Sequence, residues 1–198
     1  MVYLIDIYLL NRVSELKNYN HTTYAILGIL TTECRSGYAI KQMIDQSLNH
    51  FWKVSYGQIY PTLKLIVDEG LATVSTSSQE SKPGKNEYEL TSKGREVLKN
   101  WLEEPVEQIP VERNEILLKL FFGRRQSGEK AVYQLEEYKR KLENRYAAYT
   151  GIEQAITNVQ EKGADTKYWL FTLDYGKRVT KAAIEWCTFT LEELSKEE

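Results

Sequence analysis

Side chains able to do covalent or acid–base chemistry are few in this chain and widely scattered. It has only two histidines, His21 and His50, and neither Cys34 nor Cys187 has a second sulfur or a histidine beside it. Metal sites and disulfide frameworks require such groups at short, set spacings, so neither is expected. The cysteines read instead as small buried hydrophobes of a reducing compartment. No HExxH, GxSxG or glycine-rich phosphate loop occurs, and the Glu112/Glu115 pair reads as a solvated helix start. The residues point to no enzyme, no cofactor and no metal. A different constellation stands at Ser55-Tyr56-Gly57-Gln58, where a serine three residues before a glutamine has the spacing of a capping box. With Tyr60 and Lys64 behind it, this run predicts a helix start carrying hydrogen-bonding side chains.

The surrounding chain must hold that helix. Its 198 residues are 42% hydrophobic and 27% charged, the composition of an ordinary globular protein with one generous core or two small ones. Residues 2–10 (VYLIDIYLL) contain Asp6, lack a basic leader and are too few to span a bilayer. The expectation is a cytoplasmic protein without membrane contact. Net charge is −2, whereas a strongly basic balance would be the simplest sign of nucleic-acid binding. Residues 21–100 carry nine Lys+Arg against eight Asp+Glu, while 101–198 carry fifteen against eighteen. The first half is therefore slightly positive and the second negative.

Helical periodicity begins at 22–33, where Thr22 and Thr23 are placed to cap a short apolar segment. After Ser36-Gly37, residues Tyr38, Ile40, Ile44 and Leu48 predict an amphipathic helix over 37–48, with Lys41, Gln42 and Asp45 between them. The helix from Ser55 buries Ile59, Leu63, Ile66 and Val67, turns Tyr56, Gln58, Thr62 and Lys64 elsewhere, and ends at Gly70. Pro61 should kink it or shorten its first turn, because its ring nitrogen cannot donate. Residues 71–78 and 87–90 predict a β-hairpin around a polar tip containing Pro83-Gly84. Thr91 then caps a helix with Val97, Leu98, Trp101 and Leu102 as its stripe, ending before Pro105. Three helices, a hairpin and a helix, in that order, make a winged helix.

Past the 105–110 linker the pattern is wholly helical. A short apolar helix is predicted over 113–122, ended by Gly123. A long one from Ser127 to about Val159 has large residues every three or four positions, near a heptad rhythm. Asp165-Thr166 caps the last helix, in which Gly176 permits close approach of another backbone. Two long helices invite antiparallel pairing within or between chains. The division expected is an N-terminal extension (1–20), a winged-helix domain (21–104), the linker (105–110) and a helical dimerisation domain (111–198). The fold class is mainly α with one small hairpin.

The stretches ILGIL (26–30), SGYAIK (36–41), FWKVSYGQIYPTLKLIVDEGLA (51–72) and YELTSKGREVL (88–98) occur in an order that resembles the PadR family of bacterial transcriptional regulators. The likeness covers about 80 residues firmly. More weakly, the segment ending in GKRVTKAAIEWCTFTLEEL is similar to the dimerisation domain of the family's long members. The resemblance implies a sequence-specific DNA-binding regulator, a repressor in the family's usual mode, gripping a palindromic double-stranded operator as a homodimer.

On that likeness the third helix enters the major groove by its first turn. Ser55, Tyr56, Gly57, Gln58, Tyr60 and Lys64 become the contact candidates. Helix N-terminal amides accept a phosphate, Gln pairs bidentately with adenine, Tyr reaches a phosphate, and Gly57 lets the backbone come close. Lys82 and Lys85 at the hairpin tip would bracket a phosphate or enter the minor groove, or are simply solvated. This tip is less basic than is usual for the family, which lowers the expected counterion release. Without the likeness, Tyr56 and Tyr60 read equally well as half-buried aromatics above an ordinary cap. Phe121, Phe122, Tyr168, Trp169 and Trp186 are candidates for an apolar pocket taking a small aromatic effector, or are core. Residues 2–13 could form an amphipathic helix swapped onto a partner, or be an extension without a role. The alternative function is a winged-helix protein-interaction module that binds no DNA.

Overall fold

The computed structural model describes residues 18–77, 85–158 and 163–196, and the chain falls into two compact units, Met1–Ile109 and Pro110–Glu198. The suggested helix over 2–13 and the tip lysine Lys82 lie outside the described residues.

In the first unit, α1 (His21–Ile29) is capped by Asn20, not by the threonines: Asn20 Oδ1 accepts from the Thr23 N–H at 2.9 Å and from its hydroxyl at 3.1 Å. The helix is shorter than periodicity suggested because Thr31 and Thr32 donate back to the Gly28 and Ile29 carbonyls at 2.6 and 2.7 Å. Such local bonds compete with the helical ladder. Helix α2 (Gly37–Gln46) is capped by Ser36, buries Ile40 and Ile44, and runs into a 3₁₀ turn, Leu48–His50. Helix α3 (Tyr56–Asp68) contains Pro61 within an uninterrupted span and buries Ile59, Thr62, Leu63 and Ile66. Thr62, expected to point away, is thus part of the core. Gly70, at φ +69°, turns the chain into β1 (Ala72–Ser77), which pairs antiparallel with β2 (Lys85–Leu90) from Ala72↔Leu90 to Ser77↔Lys85. Only glycine adopts that φ without steric cost.

Helix α4 (Ser92–Glu103) is where the unit closes. Thr91 Oγ1 accepts from the Gly94 N–H at 3.0 Å, as expected of a cap, and also lies 2.8 and 3.1 Å from the Gly70 and Leu71 carbonyls. A Cβ on Gly94 would sit 2.1 Å from the Leu71 carbonyl oxygen, so the first turn of α4 rests directly on the start of β1. Trp101, from α4, stacks on Tyr24 of α1 with centroids 4.5 Å apart. On the far side of the hairpin, the Tyr88 N–H donates to the Arg35 carbonyl at 2.7 Å and Ser36 bridges to Glu87, tying β2 to the start of α2. Ile26, Leu27, Ile40, Ile44, Ile59, Leu63, Ile66 and Leu71 are fully buried between these elements. Cys34, expected to be buried, is only partly so, with its sulfur 3.6 Å from Met43 Sδ.

The second unit comprises α5 (Glu115–Phe121), capped by Asn114, a 3₁₀ turn Gly123–Arg125, α6 (Gly128–Thr157) and α7 (Thr166–Leu194). Asp165 precedes α7 but its side chain makes no capping bond. Buried Leu135, Leu142 and Tyr149 recur every seven residues along α6, so the heptad rhythm marks the stripe that faces inward. The core holds Ile116, Leu135, Leu142 and Cys187, with Trp186 half-buried at its margin. Burial pushes the Cys187 thiol above its ordinary pKa. Gly176 permits a close approach, but of a side chain and not of the backbone expected: a Cβ there would lie 3.1 Å from the Tyr149 ring. Beside it Lys177 Nζ reaches Glu153 Oε2 at 2.6 Å. No helix among the described residues is long and apolar enough to cross a membrane.

Candidate nucleic-acid interface

The first turn of α3 begins at an extended residue, Ser55, whose carbonyl accepts from the Gln58 N–H at 2.9 Å. The anticipated capping box is absent: Ser55 makes no side-chain capping bond. A helix start leaves backbone donors without intrahelical partners, and here the serine side chain does not take them. Ser55, Tyr56, Gly57, Gln58, Tyr60 and Lys64 are all exposed. By helical spacing Tyr56, Tyr60 and Lys64 share one stripe, i, i+4 and i+8. Gln58 stands about 200° round from Tyr56 at ~100° per residue, on the other margin of the exposed surface. Gly57 meets nothing closer than Ser55 Oγ, 3.7 Å from where its Cβ would be.

Helix α2 supplies the other half of this surface. Its buried Ile40 and Ile44 turn the opposite side outward, where Tyr38, Lys41, Gln42 and Asp45 are exposed. Gln42 Nε2 donates to the Tyr38 hydroxyl at 3.3 Å. Lys41 Nζ lies 4.4 Å above the centroid of the Tyr56 ring, a cation–π contact. The Tyr56 hydroxyl donates to Asp45 Oδ1, which also accepts from Asn49 Nδ2 at 2.9 Å. That hydrogen bond, then burial, then the carboxylate's charge hold the Tyr56 phenol above its ordinary pKa. Tyr60 packs over the start of α2, its ring 2.8 Å from where a Gly37 Cβ would be, so Gly37 lets the two helices meet.

Sequence reasoning had singled out the α3 residues but not Lys41 and Asp45 as members of the same surface. The usable signal was Lys41 and Asp45 a turn apart on the polar side of α2, with Asn49 four residues further on in the 3₁₀ turn. Lys85 opens β2 opposite Ser77. The five aromatic pocket candidates are not gathered into one cavity among the described residues. Phe121 and Phe122 contact each other edge to face at 5.1 Å, Tyr168 contacts Phe171 at 6.4 Å, and all of Phe121, Phe122, Tyr168 and Trp169 are exposed. Phe122 alone of the five lines a shallow depression of about 310 Å³, shared with Leu118, Lys119, Arg125, Gln126 and Gln134. No group of three metal-ligating side chains is found among the described residues.

Residues 26–100 match the model of the transcriptional regulator PadR-like family, and residues 112–195 match that of the virulence activator alpha C-terminal domain. The chain is 31% identical over 153 residues to the negative transcriptional regulator PadR of Bacillus subtilis (strain 168), covering 74% of this chain and 83% of that one. The crystal structure of B. subtilis PadR in complex with operator DNA superposes with a TM-score of 0.79 at 27% identity, over 88% of this chain and 99% of the other. That of the same protein in complex with p-coumaric acid gives 0.73 at 27% identity, over 87% and 98%.

Proposed function

This chain belongs to the PadR-like family of transcriptional regulators, and from that premise we propose that it is a repressor that binds a palindromic operator as a homodimer through the α2–α3 surface. The observation that carries the reading is the exposed, side-chain-uncapped first turn of α3, with Tyr56, Gln58 and Lys41 around it. Amides and Lys41 would take phosphates, and Gln58 would read a base edge. The operator-bound structure of B. subtilis PadR supports this over a module that binds only protein. On this reading the protein acts by binding rather than by turnover and would work in the cytoplasm.

The winged-helix unit would bind DNA and the helical unit would dimerise, setting two α3 helices about 34 Å apart on successive turns of the major groove. Leu117, Leu118, Phe121, Phe122, Trp169 and Phe189 stay exposed on the protomer, large apolar side chains of the kind a dimer face would cover. The p-coumaric acid complex of the B. subtilis protein supports a small aromatic effector here. The exposed Phe121, Phe122, Tyr168 and Trp169, and half-buried Trp186, would then contribute only where dimerisation encloses them.

The test is a mobility-shift titration against the promoter DNA upstream of its own gene at two salt concentrations. A shift that survives competitor DNA and weakens steeply with salt is expected. Tyr56→Ala with Gln58→Ala should abolish it while sedimentation still reports a dimer. Unchanged affinity in the double variant would remove α3 from the interface.

A further inference from the structure

Asp45 is an anomaly on a surface meant for phosphates. An exposed carboxylate there repels the DNA backbone, and it shares its helix face with Lys41, whose charge it offsets. Yet it is not idle. Asn49 Nδ2 holds Oδ1 at 2.9 Å, and the same oxygen receives the hydroxyl of Tyr56, a residue otherwise 51% exposed at the start of α3. The Tyr56 ring is thereby fixed at two points, its hydroxyl by Asp45 and its face by the Lys41 ammonium at 4.4 Å. Both partners come from α2, so the contact also fixes where the first turn of α3 stands relative to the helix before it.

We propose that Asp45 determines specificity on this surface: it positions Tyr56 and Lys41 for the operator while its charge weakens attraction to DNA in general. The proposal rests on the DNA-binding reading above. Repulsion acts on every duplex alike, because every duplex has the same phosphates. Fixing Tyr56 helps only where groups must meet set positions, which is the operator complex. The two effects oppose each other on the operator, whereas only the repulsion acts elsewhere. Asp45 therefore widens the gap between the two affinities.

The full-length protein would be titrated against operator DNA and against a scrambled duplex of equal length and composition, as wild type, Asp45→Ala and Asp45→Asn. In Asp45→Ala, non-operator binding should tighten about threefold as one like charge is removed, and operator binding should weaken about threefold, so their ratio falls about tenfold. In Asp45→Asn the amide oxygen still accepts the Tyr56 hydroxyl while the charge is gone, so binding should tighten about threefold on both duplexes and their ratio should be retained. A ¹³Cζ-tyrosine NMR titration reads the clamp itself: the Tyr56 resonance, identified by its loss in Tyr56→Phe, should titrate lower once Asp45 is alanine. An unchanged affinity ratio in Asp45→Ala would overturn the proposal while leaving DNA binding intact. Failure of the wild type to bind any duplex would overturn the DNA-binding reading and this proposal with it.

Discussion

Replacing Gly94 with alanine should destabilise the first unit, against the ordinary expectation for a helical glycine. Gly→Ala within a helix normally stabilises by about 1 kcal/mol, through the smaller freedom of the unfolded chain and the better helix propensity. Here the new methyl would lie 2.1 Å from the Leu71 carbonyl oxygen, 3.0 Å from its carbon and 3.0 Å from Leu90 Cδ2. Ordinary carbon–oxygen contacts begin above 3 Å, so the first turn of α4 and the start of β1 must separate by about 1 Å. The blocking atom is backbone and cannot swing aside. Overpacking of this kind costs ~1–3 kcal/mol. The separation also strains the Leu71 carbonyl's bond from the Thr91 N–H at 3.0 Å and the Thr91 Oγ1 contact at 3.1 Å, each worth ~0.5–1.5 kcal/mol net. After subtracting the helix gain, a loss of about 1–5 kcal/mol remains. Urea unfolding of the full chain in a Trp169→Phe, Trp186→Phe background leaves Trp52 and Trp101 to report on the first unit. A Gly94→Ala midpoint equal to or above that of its parent would refute the steric argument.

Two further expectations concern the second unit. The Glu153 carboxylate, hydrogen-bonded to Lys177, holds that ammonium above the ordinary lysine pKa against the cost of its burial. A raised pKa in the folded state means the pair's contribution is complete below the unfolded lysine value of about 10.4 and is lost as pH rises through the folded one. Thermal melts of wild type and Lys177→Met should therefore differ by a constant amount below the unfolded lysine value of about 10.4 and draw together as pH rises above it, and a difference that persists at all higher pH would contradict the pair's role. Trp186→Ala should cost about 2 kcal/mol in urea, below the ~3–5 of a fully buried ring, because the indole is only half-buried. A loss above 4 kcal/mol would show that dimerisation buries the ring further.

What was legible in the residues was whatever burial periodicity and chain breakers record. The order of elements, the Thr91 cap, the hairpin and the two long helices all rest on patterns within about ten residues. Local hydrogen-bond competition was less visible. Asn20 displaced the threonines as the cap of α1, and Ser55 and Gln58 have the spacing of a capping box without its bond. Thr62 looked polar from composition but is drawn into the core with its neighbours Leu63 and Ile66. The contacts that set the site were least visible. Asp45 with Tyr56, Gly37 with Tyr60 and Gly94 with Leu71 join different elements, and neither periodicity nor propensity says which side chains of two elements will meet.

The tie between Tyr88 and the Arg35 carbonyl bears on the order in which the first unit assembles. It joins the last strand to the residue just before α2, so the intervening chain, α2 and α3 included, forms one large ring. Closing so large a ring loses chain entropy before any contact compensates for it. The α6–α7 pair, by contrast, can close outward from its short connection, Glu153 with Lys177 before Leu135 and Cys187. Domains dominated by neighbouring contacts fold faster than those that await distant ones. The helical unit should therefore gather early, and docking of the hairpin onto the head of α2 should set the pace of the winged helix.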